Sequence, residues 1–218
     1  MTAPLLTFRD LHYAHPGGAD VLRGASMSLA PGERVGLTGA NGSGKSTLLH
    51  LAVGLYKPAS GEIMYDGRER RTERDFEDMR RGVGLLFQNS DDQLFCTTVE
   101  EDLAFGPFNL GWPRDRVAAR VEQVLGQLAI APLARRVTYR LSEGEKRLVA
   151  LGTLLTMEPR VLLLDEPTNG LDDAARARLL DILHELPVAM LIATHDTALL
   201  DALAATRVHL ANGVLAAR

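Results

Sequence analysis

Short apolar runs alternate along this chain with longer stretches of helical period, the pattern of an α/β protein. Residues 34–38, 62–65 and 83–87 read as strands. Residues 161–164 and 188–193 are continuously apolar, as strands buried on both faces are, so 161–164 and 188–194 read as buried strands, and 208–216 ends the sheet. Between them, 46–55 reads as a helix through Leu48, Leu49, Leu51, Ala52 and Leu55, followed by helices over 114–129, 141–156 and 172–185. From 88 to 141 proline and glycine punctuate an acidic stretch before the helical period resumes at Arg114. The pattern predicts one domain over 1–218, with a strand-rich body (about 1–87 and 144–218) enclosing a mostly helical insertion (about 88–143). The charge run over 68–81 mixes arginines with Glu69, Glu73, Asp75, Glu77 and Asp78. Its signs cancel locally, which predicts a solvated helix face rather than a nucleic-acid patch.

Composition narrows the classes. With 46% hydrophobic and 24% charged residues among 218, the chain has the profile of a folded domain, not a disordered one. A net charge of −4 gives no general attraction to nucleic acid or an anionic membrane. The single cysteine, Cys96, excludes an internal disulfide framework, and six scattered histidines form no zinc pattern with it. A reducing, cytosolic setting follows. Pro4, Arg9 and Asp10 break the first ten residues, so no secretory signal is expected. The apolar runs at 161–164 and 188–193 fall far short of the roughly 20 residues that cross a bilayer. Any action at a membrane is therefore expected to go through a partner.

Gly39-Ala40-Asn41-Gly42-Ser43-Gly44-Lys45-Ser46 fits G-x-x-x-x-G-K-[ST] between a predicted strand and a predicted helix. Glycines let successive N–H groups converge on one anion-sized hollow, and the following helix adds the positive end of its dipole. Lys45 supplies a full charge to the β- and γ-phosphates, and the Ser46 hydroxyl suits Mg²⁺. A glycine-rich turn with an exposed lysine is the plainer reading. A chance match in a chain of this length is on the order of one in a hundred.

Val161-Leu162-Leu163-Leu164-Asp165-Glu166 sets two carboxylates at the end of an apolar strand, where ligands of parallel sheets gather. Asp165 is placed to hold Mg²⁺ directly or through water, and Glu166 reaches one residue further, toward a water that attacks the γ-phosphate. Alone, such a run is an ordinary strand end. Beside the cradle it completes the division of phosphoryl transfer into phosphate clamp, metal holder and water positioner.

These motifs, in this order, resemble the ATP-binding cassette (ABC) ATPases over essentially the full chain. Leu141-Ser142-Glu143-Gly144-Glu145-Lys146-Arg147 looks like the signature segment, Gln88 the glutamine before the helical subdomain, Gly170-Leu171-Asp172 the D-loop and His195 the switch histidine. The resemblance implies a P-loop NTPase (RecA-like) core with an antiparallel β subdomain and a helical subdomain insertion. It implies ATP and Mg²⁺ as cofactors and two cassettes stacked head to tail, homodimer or heterodimer. Asn41, Gly42, Ser43, Gly44, Lys45, Ser46 and Thr47 would then hold phosphates, and Ser142 and Gly144 the γ-phosphate on the other protomer. Glu166 would polarise the attacking water, His195 hold the γ-phosphate, and Ser46, Gln88 and Asp165 surround the metal. Counting back from Val21 puts His15 at the adenine-stacking position, with Tyr13 two residues earlier. Each has a local alternative: Ser142 and Glu145 also spell a capping box, and a lone histidine often just ends a strand.

Glu143 and Glu145 stand where the usual signature has glycine and glutamine, and a carboxylate near phosphate is unfavourable unless it points away. Gln88 to Pro107 resembles the ATPases of energy-coupling factor importers that serve cobalt, nickel or vitamin uptake. There this region meets a transmembrane coupling protein, and a separate membrane subunit selects the solute. Asp91, Asp92, Glu100, Glu101 and Asp102 suit an arginine-bearing partner. The resemblance thus implies an ATPase peripheral to the cytoplasmic face of the cell membrane, binding no nucleic acid. The last strand expected, 208–216, lies close to the end of the sequence, so the C-terminal extension of many such ATPases, and its dimer contacts, are not expected here. A soluble ABC ATPase acting on DNA or the ribosome is the alternative. Too few positions separate Lys45 from Ser142 for the long coiled coil of the DNA-repair members, and translation factors carry two cassettes. A P-loop kinase would need an acceptor pocket in place of the second cassette.

Overall fold

The computed structural model describes residues 3–217. Strands β1 (Leu6–Ala14), β2 (Asp20–Leu29) and β3 (Arg34–Thr38) lead through the glycine turn into α1 (Lys45–Ala52). Next come β4 (Ser60–Tyr65), β5 (Arg68–Glu69), α2 (Glu73–Arg80) and β6 (Val83–Leu86). Helices α3 (Val99–Asn109), α4 (Arg114–Gln127) and α5 (Glu143–Leu155) precede β7 (Val161–Asp165) and α6 (Asp173–Glu185). β8 (Ala189–Ala193), α7 (Thr197–Leu203), β9 (Thr206–Ala211) and β10 (Val214–Ala217) complete the chain.

Two compact units emerge. The first comprises Met1–Leu85, Arg160–Glu166 and Pro187–Arg218. It contains a four-stranded sheet in the order β2-β1-β4-β5, whose paired strands are antiparallel. The second sheet runs β10-β9-β3-β8-β7-β6. In it β9, β3, β8 and β7 are mutually parallel and β10 returns antiparallel to β9. Every residue of β7 and β8 is buried, as their unbroken apolar sequences require. The register sets Leu37, Ala193 and Asp165 abreast, so the chain leaves β3, β8 and β7 at one edge of the sheet. This sheet and the antiparallel one are the core and β subdomain that the motifs implied.

The β1–β2 hairpin carries weaker sequence signals. Leu6, Phe8, Leu11 and Tyr13 are buried, but the register shifts between Phe8 and Leu11, where Arg9 and exposed Asp10 break the alternation. The 68–81 run also departs from a wholly solvated face. Thr72 and Asp75 close a capping box at the start of α2, and the Thr72 and Arg71 bonds hold the Asp75 carboxyl down at about 2. Phe76 and Met79 face inward. Arg70 is buried too, donating to the Tyr65 carbonyl at 3.1 Å and to Asp78 at 2.8 Å. Counting charges conceals this, because one guanidinium can join the carbonyl that ends a strand to a carboxylate of the following helix.

The second unit comprises Leu86–Pro159 and Pro167–Leu186. Its core gathers Leu103 of α3, Val117, Val121 and Val124 of α4, Val149 and Leu151 of α5, and Leu179 of α6. Helix α3 lies inside the stretch expected to be punctuated by loops. Pro107 lies inside it and forgoes one helical N–H bond, but only two residues before the helix stops at Asn109, and Glu101 accepts from the Thr98 N–H at 2.9 Å to fix its start.

Candidate functional site

In the first unit the glycine turn runs from β3 into α1. The N-cap is Gly44, in the left-handed region at φ 103°, with no side chain to satisfy the first amides of α1 and no acidic residue in its first turn. That leaves the N-terminal N–H groups and the dipole free for an anion. The Lys45 ammonium folds back over the turn, donating to the carbonyls of Gly39 (3.0 Å) and Ala40 (3.3 Å). The Ser43 hydroxyl is buried without a hydrogen-bond partner. Ser46 hydrogen-bonds the Asp165 carboxyl, whose pKa is raised by burial and partly restored by that bond and by His50. Asp165 Oδ1 is itself buried without a partner. A carboxylate desolvated beside a hydroxyl is the donor set that a divalent cation suits.

Glu166 follows in the left-handed region at φ 43°, a conformation costing about 1–3 kcal/mol in a non-glycine residue. Its own N–H donates to the Ala193 carbonyl at 2.8 Å, tying the β7 exit to β8. Its carboxylate is almost fully buried, and all its contacts converge on Oε2: the Thr194 hydroxyl at 2.8 Å, the His195 N–H at 3.4 Å and His195 Nδ1 at 3.0 Å. Asp165, Glu166 and His195 therefore meet at the edge where β7 and β8 end. Burial also lowers the pKa of His50, against the pull of Asp165; its ring lies edge-on to Tyr56 at 5.2 Å. Tyr13 is buried and stacks on Tyr56 with ring centres 5.5 Å apart, whereas His15 is exposed and accepts or donates at the Tyr13 hydroxyl. His50, Tyr56 and Thr194 were not singled out by sequence; each lies close to a motif but carries no pattern of its own.

The second unit holds Gln88, Ser142 and Gly144. Gln88 is exposed, and its carbonyl, with that of Phe87, accepts from the Arg147 guanidinium at 2.6 Å each. Ser142 is the N-cap of α5: its Oγ accepts from the Glu145 N–H (3.3 Å), and the Glu145 carboxylate accepts from the Ser142 N–H (2.8 Å). The capping box foreseen at these residues is present. Gly144 has a packing role as well, since a Cβ there would come within 2.8 Å of the Ala175 Cβ. The acidic stretch is less open than its composition suggested. Asp102 is buried, accepting from the N–H groups of Phe95 and Cys96, and Glu101 caps α3. Asp91 pairs with Lys146 at 2.7 Å. Asp92 and Glu100 remain exposed. Burial and the neighbouring Asp102 push the Cys96 thiol up to about 11, so it stays protonated.

The family model described as ABC transporter matches residues 22–169. The chain belongs to the ABC transporter family. Among relatives, the cobalt import ATP-binding protein CbiO of Rhodobacter capsulatus is 45% identical over 205 residues, covering 92% of this chain and 73% of that protein. The energy-coupling factor transporter ATP-binding protein EcfA of Methanothermobacter thermautotrophicus is 43% identical over 196 residues, covering 88% of this chain and 63% of that one. Among solved structures, CbiO1 of Clostridium perfringens, described as part of the ABC transporter complex CbiONQ, superposes with a TM-score of 0.87. It is 34% identical, and the match covers 98% of this chain and 87% of that one. Among the described residues no helix is long and apolar enough to cross a membrane.

Proposed function

We propose that this chain is the ATP-binding and hydrolysing subunit of an energy-coupling factor importer for cobalt, nickel or a vitamin, working as a dimer of cassettes at the cytoplasmic face of the membrane. Relatives named for cobalt import and energy coupling support this reading over a soluble ATPase acting on DNA or the ribosome. The observation that carries the chemistry is the buried Glu166 carboxylate, fixed beside Asp165 at the end of β7.

In this reading the Gly39–Ser46 turn binds the triphosphate through its N–H groups and α1, and Asn41, Gly42, Ser43, Gly44 and Thr47 line it. Lys45 exchanges its two carbonyl partners for β- and γ-phosphate oxygens, a stronger charge-assisted contact. Ser46, Asp165 and Gln88 would hold Mg²⁺, which supplies charge neutralisation to the phosphates when bound. Glu166 accepts a proton from the attacking water, and His195 turns from Glu166 to the γ-phosphate. The exposed His15 ring stacks on adenine in place of Tyr13, which is buried and stacked on Tyr56. Ser142 and Gly144 meet the nucleotide of the second cassette. The helical segment about 88–143 transmits closure to the coupling protein through the 88–107 region, and a substrate-binding membrane subunit is engaged only indirectly. Affinity isolation of the full chain from its native membranes tests this. Recovery of a second ATPase copy with a polytopic membrane protein is expected; a chain recovered with neither overturns the reading.

A further inference from the structure

The Glu166 carboxylate leans on a residue no motif marks. Thr194 lies between the end of β8 and His195 and is fully buried. Its backbone N–H donates to the Leu37 carbonyl at 3.2 Å, so β3 fixes its position just before the glycine turn. Its hydroxyl donates to Glu166 Oε2 at 2.8 Å and accepts from the Asp196 N–H at 3.1 Å. A threonine hydroxyl has one proton to give and lone pairs to receive, and both capacities are used here. Asp196 in turn is the N-cap of α7, accepting from the Leu199 N–H at 3.0 Å.

We infer that Thr194 is the positioning residue of the water-polarising carboxylate. Its hydroxyl holds Glu166 Oε2 in a fixed orientation and, through Asp196, links that orientation to the turn that carries His195. The inference rests on the reading of Glu166 given above. Glu166 Oε2 receives two further contacts, and both come from His195, whose side chain is 68% exposed. Once the His195 ring turns to a phosphate, the Thr194 hydroxyl becomes the main side-chain donor keeping Glu166 aimed. A fully buried hydroxyl whose backbone is tied to the end of β3 cannot follow the ring outward, so it is suited to that task. It leaves Oε1 for the water, because among the described residues the hydrogen bonds and the ion pair to Glu166 fall on Oε2.

Steady-state ATP hydrolysis by the full chain with Mg²⁺, compared across Thr194→Val, Thr194→Ser and Thr194→Ala, tests the inference. Losing one hydrogen bond to a charged group predicts about a tenfold fall in kcat for Thr194→Val and Thr194→Ala. KM and nucleotide affinity stay within about twofold, and Thr194→Ser recovers most of kcat. A readout without turnover accompanies it: the amide NMR resonance of Asp196 shifts in Thr194→Val and returns in Thr194→Ser. Wild-type kcat in Thr194→Val or Thr194→Ala overturns the inference. So does equal loss in all three variants that tracks a falling melting temperature, which marks packing alone. Full turnover by Glu166→Gln instead removes the underlying reading of Glu166, so the two failures are distinguishable.

Discussion

Two helix starts, one in each unit, are built on opposite plans. Helix α1 begins at a glycine that offers no cap and has no acidic residue in its first turn. Helix α5 begins at a serine whose capping box is closed and carries Glu143 and Glu145 in its first turn. The first presents amides without a side-chain cap and a dipole end without a compensating carboxylate. The second has already satisfied part of its own backbone and complemented its dipole. A phosphate approaching α5 must therefore displace a good internal arrangement, whereas one arriving at α1 fills an open one. The Glu145 carboxylate turns back to the Ser142 N–H and to Arg136 at 3.5 Å, which relieves its repulsion toward an approaching anion. The Glu143 carboxylate pairs with Lys146 at 3.3 Å. The glutamates thus make the helix start self-sufficient at the expense of its pull on phosphate.

The largest effect expected from breaking the open site is on rate. Glu166→Gln should lower ATP turnover by about 10²–10⁴ while nucleotide binding, measured by calorimetry, persists. Lys45→Ala removes a charge-assisted phosphate contact on the order of 1.5–3 kcal/mol, so nucleotide affinity should fall by about 10- to 150-fold in the same assay. At the closed site, Gly144→Ala forces α5 and α6 apart at Ala175 and should destabilise the chain by about 1–3 kcal/mol, read from the midpoint of chemical denaturation. Ala175→Gly in the same chain should restore most of it. Asp165→Asn should raise the melting temperature at neutral pH. Burial raises the pKa of Asp165, so the folded chain loses stability as pH rises from the ordinary carboxylate range through that raised value. The gain from Asp165→Asn should accordingly vanish in acid, where wild type is protonated too. Smallest is Glu145→Gln, which keeps the box geometry without the charge. ATP-driven association of cassettes should tighten about two- to fivefold, the size of a helix-dipole charge effect of 0.3–1 kcal/mol.

The parallel sheet and the phosphate turn were legible because buried parallel strands are unbroken apolar runs and the turn has a fixed spacing. The β1–β2 hairpin and α3 were harder to read for complementary reasons. A bulge at Arg9 and Asp10 disrupts one period, and Pro107 signals a break although α3 runs through it to Asn109. The acidic cluster shows the limit of composition. Glu101 closes a local capping box and Asp102 serves nearby backbone amides, while Asp91 reaches Lys146 far along the chain, so a count of acidic residues reads as open what is already paired. Thr194 is the same lesson at the site: nothing in its neighbours announces a hydroxyl bridge across 28 positions to Glu166.

Arg147 grips the backbone of Phe87 and Gln88, while Gln93 reaches the Ala150 carbonyl (2.8 Å) and the Thr153 hydroxyl (2.9 Å) of the same helix. With Lys146 clasping Asp91, α5 is pinned along its length to the chain between 87 and 93. The segment 87–93 and α5 are consequently tied together as one piece. Tension applied at Gln88 reaches Ser142 through guanidinium and amide bonds, with no slack loop in between.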